Sequence, residues 1–218
     1  MADTWAVFPS GNSEAAQTCS DAWAAAGYRT AVLIAAGQKP VRCDVLMIEE
    51  SYGGIPKSFK LLCDTVIDDH GANLIACIND DMFPTFNAGA ENVANRFAAQ
   101  FPNGCGAMQP TGDWYSALAW CCPSPVVNAE FAKRYNGGKG IFWPEYYHFY
   151  CDQEFRDVTL RLGCLFETDL IGFEHRHWTR GHVDQLPVEK REKIQSRYDT
   201  DKMTYINRAN LWFPGAAI

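Results

Sequence analysis

Leu74-Ile75-Ala76-Cys77-Ile78-Asn79-Asp80-Asp81 joins five apolar residues directly to three polar ones, two of them carboxylates. An apolar run of that length is short for a helix and reads as a strand buried on both faces, as in the interior of a parallel sheet. The abrupt Asn-Asp-Asp stop then falls at the carboxyl end of the strand, where ligands bind in open α/β sheets. Two adjacent carboxylates repel each other unless something offsets their charge. A divalent cation does so, because hard cations prefer oxygen ligands. A turn or a helix cap built from Asn and Asp is the other reading.

Upstream of this stretch, strand-like and helix-like segments alternate. Trp5–Phe8 is a short apolar strand ended by Pro9-Ser10-Gly11-Asn12, and the Ala-rich segment 13–26 is a helix closed by Gly27. The unbroken apolar run within 30–36 and the segment 44–48 read as further strands. A helix is expected over 55–66, with Pro56 in its first turn. Downstream, Val93, Phe97 and Phe101 recur every four residues, the mark of an amphipathic helix. Such alternation implies an α/β fold with a mainly parallel central sheet and helices on both faces. It also makes Pro9–Asn12 and Asn79–Asp81 the first places to look for chemistry.

The length of 218 residues suits one domain, and 186–218 reads as a charged helical tail packed back on it. No apolar run approaches the roughly 18 residues that span a bilayer. The first residues lack the basic and apolar regions of a secretory signal, so the expected compartment is the cytoplasm. Nine cysteines are scattered without any Cys-x-x-Cys pair, which argues for buried thiols rather than a zinc site or a disulfide scaffold. A net charge of −7 gives the chain as a whole no attraction for polyanions.

Two further segments carry candidate chemistry. A glycine turn at 137–140 leads through Ile141-Phe142-Trp143-Pro144-Glu145-Tyr146-Tyr147 to Asp152 and Glu154 at the mouth of a helix. That helix is expected to bury Phe155, Val158 and Leu162, with Asp152 at its N-cap position. In Phe173-Glu174-His175-Arg176-His177-Trp178, the two histidines lie two apart on a strand-like segment and so point to one face. Imidazole is the commonest metal ligand. Trp114, Trp143, Tyr146 and Tyr147 offer rings on which a sugar or base can stack, or else they belong to the core. Lys57 either reaches a phosphate or sits on a solvated helix face.

In its order of parts the chain resembles the GT-A glycosyltransferases, in particular the family 2 group. The parts are a strand with Pro9-Ser10-Gly11-Asn12, a strand with Asn79-Asp80-Asp81, a glycine–aromatic–Glu segment, an Asp152-Gln153-Glu154-Phe155 helix, and a strand with His175-Arg176-His177. The resemblance covers about residues 4–180 and implies an inverting transfer of sugar from a nucleotide-sugar donor, UDP- or GDP-linked, to an acceptor hydroxyl. By that resemblance, Pro9, Ser10, Asn12, Lys57, Asn79, Asp80 and Asp81 face the donor. Asp81 and one of His175 and His177 hold Mn²⁺ or Mg²⁺. Asp152 is the catalytic base, with Glu154 beside it to meet an acceptor hydroxyl or Arg161, and Trp114, Trp143, Glu145 and Tyr146 line the acceptor site. The acceptor is a glycan or, as in some phage-encoded relatives of this kind, a hydroxymethylated pyrimidine in DNA. Lys133, Arg134, Arg176, Arg180, Lys190, Arg191, Lys193 and Arg197 would form a basic rim for the DNA. Two positions depart from the family: Ala35-Ala36-Gly37-Gln38 replaces a common Asp-Asp-Gly-Ser, and Cys151 replaces a Glu before the base. The alternative is a metal-dependent hydrolase using Asp80, Asp81, His175, His177 and His182 in a two-metal cage.

Overall fold

The computed structural model describes residues 3–112, 120–177 and 188–218, so Trp114, Arg180 and His182 lie outside the described residues. The first half follows the alternation of the sequence. Strand β1 (Thr4–Ser10) leads to helix α1 (Ser13–Ala25), then β2 (Arg29–Ala35), β3 (Val45–Glu49), α2 (Ile55–Asp68) and β4 (Leu74–Cys77). A short strand β5 (Met82–Pro84) and helix α3 (Ala90–Gln100) come next. The second half holds β6 (Ala107–Thr111), β7 (Val126–Asn128), α4 (Ala129–Arg134), α5 (Cys151–Arg161), β8 (Leu165–His175), α6 (Val188–Gln195) and α7 (Tyr198–Asn210).

The eight strands form one sheet in the order β3-β2-β1-β4-β7-β6-β8-β5. β1 to β4 are mutually parallel, as their apolar runs require. β7 then runs antiparallel to both of its neighbours, and β6 and β8 are parallel again. Alternation along β1 shows how the core divides. Trp5 and Val7 enter one cluster with Phe59, Leu62, Phe131 and Phe155, whereas Ala6 and Phe8 enter the other with Trp23, Val93 and Phe97. Helices α2, α4 and α5 therefore cover one face, and α1 and α3 cover the other, each with a single apolar stripe. Among the described residues, no helix is long and apolar enough to cross a membrane.

The C-terminal helix α7 packs back on the body of the fold through polar contacts. Arg208, 7% exposed, grips the 2% exposed Glu154 of α5 through two hydrogen bonds of 2.7 Å. Asp201 is 1% exposed, and its carboxylate accepts the consecutive backbone N–H groups of Tyr147, His148 and Phe149 at 2.8–2.9 Å. A buried carboxylate is stable only with such a set of donors, so these contacts determine where α7 sits.

Candidate metal and donor site

The carboxyl ends of β1 and β4 meet as the parallel register requires. Ser10 at the end of β1 donates from Oγ to Asp80 at 2.6 Å and accepts the Asn12 N–H at 3.0 Å. Asn12 is the N-cap of α1, where its side-chain oxygen accepts the N–H groups of Glu14 and Ala15. Its carbonyl end is thereby committed to the helix, while Ser10 faces Asp80 across the gap between the strands and Pro9, the preceding strand residue, points to the other face. The two segments singled out by the strand-end rule thus form one corner.

The third part reaches that corner through the sheet's far edge. β5 pairs antiparallel with the end of β8, setting Met82 opposite His175. The pairing continues one step further, with the Arg176 N–H donating to the Asp81 carbonyl at 2.8 Å. This places both histidines beside Asp81. His175 Nε2 lies 3.2 Å from Asp81 Oδ2, and the two imidazole centroids are 5.0 Å apart. One ligand atom from each of Asp81, His175 and His177 lies within 4.8 Å of the others. His175 is buried, whereas Asp81 and His177 are partly exposed. One carboxylate and two imidazoles converging in this way suit a divalent cation. Asp80 is joined to Ser10 and stands beside this group of three.

Several residues near the corner carry no signal in their local sequence pattern. Cys19 of α1 is buried under it, donating to the Met82 carbonyl at 3.4 Å. Burial, and then the charges of Asp80 and Asp81, push its thiol well above its usual range. Tyr52, in the loop after β3, has its hydroxyl raised by burial and by the nearby Cys151, Tyr147, Asp80 and Glu49. His148 is held down to about 4, chiefly by burial and also by His177, against the opposing pull of Asp201. Tyr52 and His148 therefore stand within electrostatic range of the Asp–His corner. Spatial neighbours of this kind leave no spacing in the chain from which they can be read.

Asp152 follows His148 at the start of α5, and two expectations about this helix need correction. The N-cap is Tyr150, held at φ +65°, and Asp152 is the second residue of the helix, its carboxylate accepting the adjacent Gln153 N–H at 3.0 Å. Phe155 and Val158 are buried as expected, but Leu162 is 40% exposed because the helix ends at Arg161.

Glu154 is not placed to meet an acceptor or Arg161. Its carboxylate is enclosed by Arg208 and by the Tyr146 hydroxyl at 2.7 Å, while Arg161 donates to the Trp212 carbonyl. Tyr146, 3% exposed, and Trp143, 7% exposed, are core residues of the same knot, with the Arg208 guanidinium 3.6 Å from the Trp143 ring centroid. Neither ring is open for an acceptor to stack on. Of the expected acceptor residues, Glu145 is exposed and Trp114 lies outside the described residues.

Part of the expected basic rim is paired with carboxylates, while Lys193 and Arg197 form no ion pair among the described residues. Lys133 pairs with Asp68, Arg134 with Glu130 and Arg176 with Glu174.

Solved structures share this architecture. A197 from STIV superposes with a TM-score of 0.52 at 12% identity, over 80% of this chain and 85% of that one. A mutant of the Drosophila beta-1,4-galactosyltransferase 7, solved with manganese, UDP-Gal and xylobiose, superposes with a TM-score of 0.50 at 13% identity, over 89% of this chain and 80% of that one. The chain has a GT-A-like fold. No protein-family model and no curated protein sequence matches it. In a GT-A-like sheet, the Asp80–Asp81 corner stands at the strand ends where this architecture places ligands.

Proposed function

We propose that the protein is an inverting, metal-dependent glycosyltransferase that moves a hexosyl group from a UDP- or GDP-sugar to an acceptor hydroxyl. The observation that carries this reading is the convergence of Asp81, His175 and His177 within 4.8 Å, beside the Ser10–Asp80 contact at the strand ends. A divalent cation held by those three residues would offset the charge developing on the nucleoside diphosphate as the sugar leaves. Two imidazoles in the donor set favour Mn²⁺ over Mg²⁺.

The chain's own residues supply the remainder. Ser10, Asn79 and Asp80 serve the donor side of the corner, and Lys57, in the first turn of α2, serves the donor phosphates. Asp152 is the base: it takes the proton of the acceptor hydroxyl as that oxygen attacks the anomeric carbon from the face opposite the departing phosphate. Glu154 has no part in this step, because Arg208 and Tyr146 occupy its carboxylate. The pairing of Lys133, Arg134 and Arg176 with neighbouring carboxylates favours a glycan over a hydroxymethylated pyrimidine in DNA as acceptor. A two-metal hydrolase calls for a second cluster of ligands, and among the described residues there is one such group.

Incubating the protein with a panel of nucleotide sugars and Mn²⁺, with and without glycan acceptors or hydroxymethylated DNA, tests the proposal. Release of UDP or GDP that depends on metal and rises with an acceptor supports it. Metal binding with no affinity for any nucleotide points instead to the hydrolase.

A further inference from the structure

Three consecutive backbone N–H groups, those of Tyr147, His148 and Phe149, converge on one buried carboxylate, Asp201 of α7. A row of N–H groups of this kind is an anion-binding concavity, and here the anion belongs to the chain itself. The segment it shapes ends at Tyr150, the N-cap of α5, and Asp152 follows in the first turn of that helix.

Tyr150 shows why the segment needs such a hold. Its φ of +65° is left-handed, a conformation that persists in a residue with a Cβ only where the surroundings over-determine it. Helix α7 supplies those surroundings. The Tyr150 hydroxyl donates to that of Tyr198 at 2.8 Å, and the Tyr205 ring centroid lies 5.5 Å from that of Tyr150 at an interplanar angle of 30°. Tyr205 also accepts the side-chain amide of Gln153, in the first turn of α5, at 3.1 Å. From the other side, the Tyr147 carbonyl takes the Ile55 N–H at 2.8 Å and the Asp152 carbonyl takes the Cys122 N–H at 3.1 Å. All of these contacts act on the chain just before and just after Asp152, and so on the direction of its carboxylate. The Arg208 grip on Glu154 is separate from them and seats α7 two turns further along.

We propose that Asp201 is a positioning residue for the transfer step: by holding the N–H groups of 147–149 it fixes the left-handed turn at Tyr150 and so aims the Asp152 carboxylate at the acceptor hydroxyl. The proposal rests on the transferase reading with Asp152 as base, and it makes α7 a working part of the site rather than a tail.

Asp201→Asn tests it. Asn matches Asp in shape, but one acceptor oxygen becomes an N–H donor that faces a backbone N–H. Hydrogen exchange of the full chain, read without any ligand, should accelerate about tenfold at 147–149 and at the Glu154 N–H, which donates to the Tyr150 carbonyl, while β1 and β4 keep their protection. With the donor and acceptor selected by the nucleotide-sugar panel, kcat should fall about 10²-fold, the scale of a misplacement of ~1 Å, and the KM for the donor should hold. In the Asp152→Asn background, Asp201→Asn should lower the rate by less than about twofold further, because the group it positions is already disabled. Tyr150→Gly adopts the same φ without strain but loses the ring, and should likewise lower kcat. Should Asp201→Asn melt far below the unmodified chain, Tyr150→Gly carries the same exchange and double-variant readouts. Full additivity of Asp201→Asn with Asp152→Asn overturns the proposal, as does unchanged exchange at 147–154. If Asp152→Asn keeps the full rate, the assignment of the base falls and this proposal with it; if Asp152→Asn lowers the rate and Asp201→Asn does not, the proposal alone falls.

Discussion

Two polar clusters in this protein use similar side chains and have opposite character. At the corner, Asp81 lies beside two imidazoles, partly exposed, at the ends of parallel strands. In the knot, Glu154 lies beside a guanidinium and a phenol, almost wholly buried, between α5 and α7. Both contain a carboxylate that the sequence marks as a candidate for catalysis. The knot spends its carboxylate on internal partners and so holds two helices together, whereas Asp81 and His177 at the corner stay partly exposed. Enclosure by internal partners, rather than residue type, separates a structural carboxylate from one available to a ligand.

The sharpest way to break this comparison is to remove the metal. EDTA should abolish transfer and Mn²⁺ should restore it, and Asp81→Ala should remove nucleotide-dependent stabilisation in a thermal melt. Full activity in EDTA would reduce the corner to a structural cluster like the knot.

Asp152→Asn comes next. Asn retains a side-chain oxygen that accepts a hydrogen bond but cannot take a proton, so the melting temperature and donor binding should hold while the rate falls by about 10²–10⁴. Steady-state kinetics with an identified acceptor measures this. An unchanged rate removes Asp152 from the mechanism and leaves it as a first-turn residue of α5.

The knot makes a contrasting prediction about stability. Glu154→Gln leaves the buried Arg208 charge without its partner, a loss of about 3–5 kcal/mol, or a fall in melting temperature of roughly 10 °C for a chain of this size. Replacing both partners, Glu154→Leu with Arg208→Met, should cost less than the single change, because no buried charge is then left unpaired. If Glu154→Gln lowers turnover with the melting temperature unchanged, Glu154 belongs with the catalytic residues after all.

His148 joins the two regions, with its backbone N–H on Asp201 and its ring within the electrostatic reach of His177. It is lowered from 6.5 to about 4, so between those values the unfolded chain binds more protons than the folded one. Stability should therefore be complete above about pH 6.5 and decline as the pH falls toward 4, by up to ~3 kcal/mol. Denaturant unfolding across that range should show a shallower decline for His148→Gln. An identical decline would assign the acid sensitivity to carboxylates alone.

In the first half of the chain, where one face or both faces of a segment are apolar over a full element, the fold was legible, whereas the short β6 and β7 and the one-turn α4 carry too few residues to show a period. β2 and β4 stand where the unbroken runs place them, and Val93 and Phe97 line the buried side of α3 at their helical spacing. Asp80 and Asp81 were equally visible, because a strand that stops abruptly at carboxylates marks its own end. The roles of Glu154, Trp143 and Tyr146 were not. A short acidic motif at a helix start and a run of aromatics look alike whether they face solvent or a second helix, and α7 lies some 50 residues further along the chain than Glu154.

The sequence by itself determined the alternating elements, the parallel half of the sheet and the two strand ends that carry Ser10 and Asp80, because backbone pairing and apolar periodicity are local properties. The pairing of β5 with β8 was left to the tertiary structure, and with it the meeting of Asp81, His175 and His177 across more than 90 positions. The same holds for Asp201, an ordinary first-turn acid of a charged helix until the backbone of 147–149 is brought to it. Charges act through space, and which of them meet depends on how the apolar faces pack, so their partners are decided only once the core has closed.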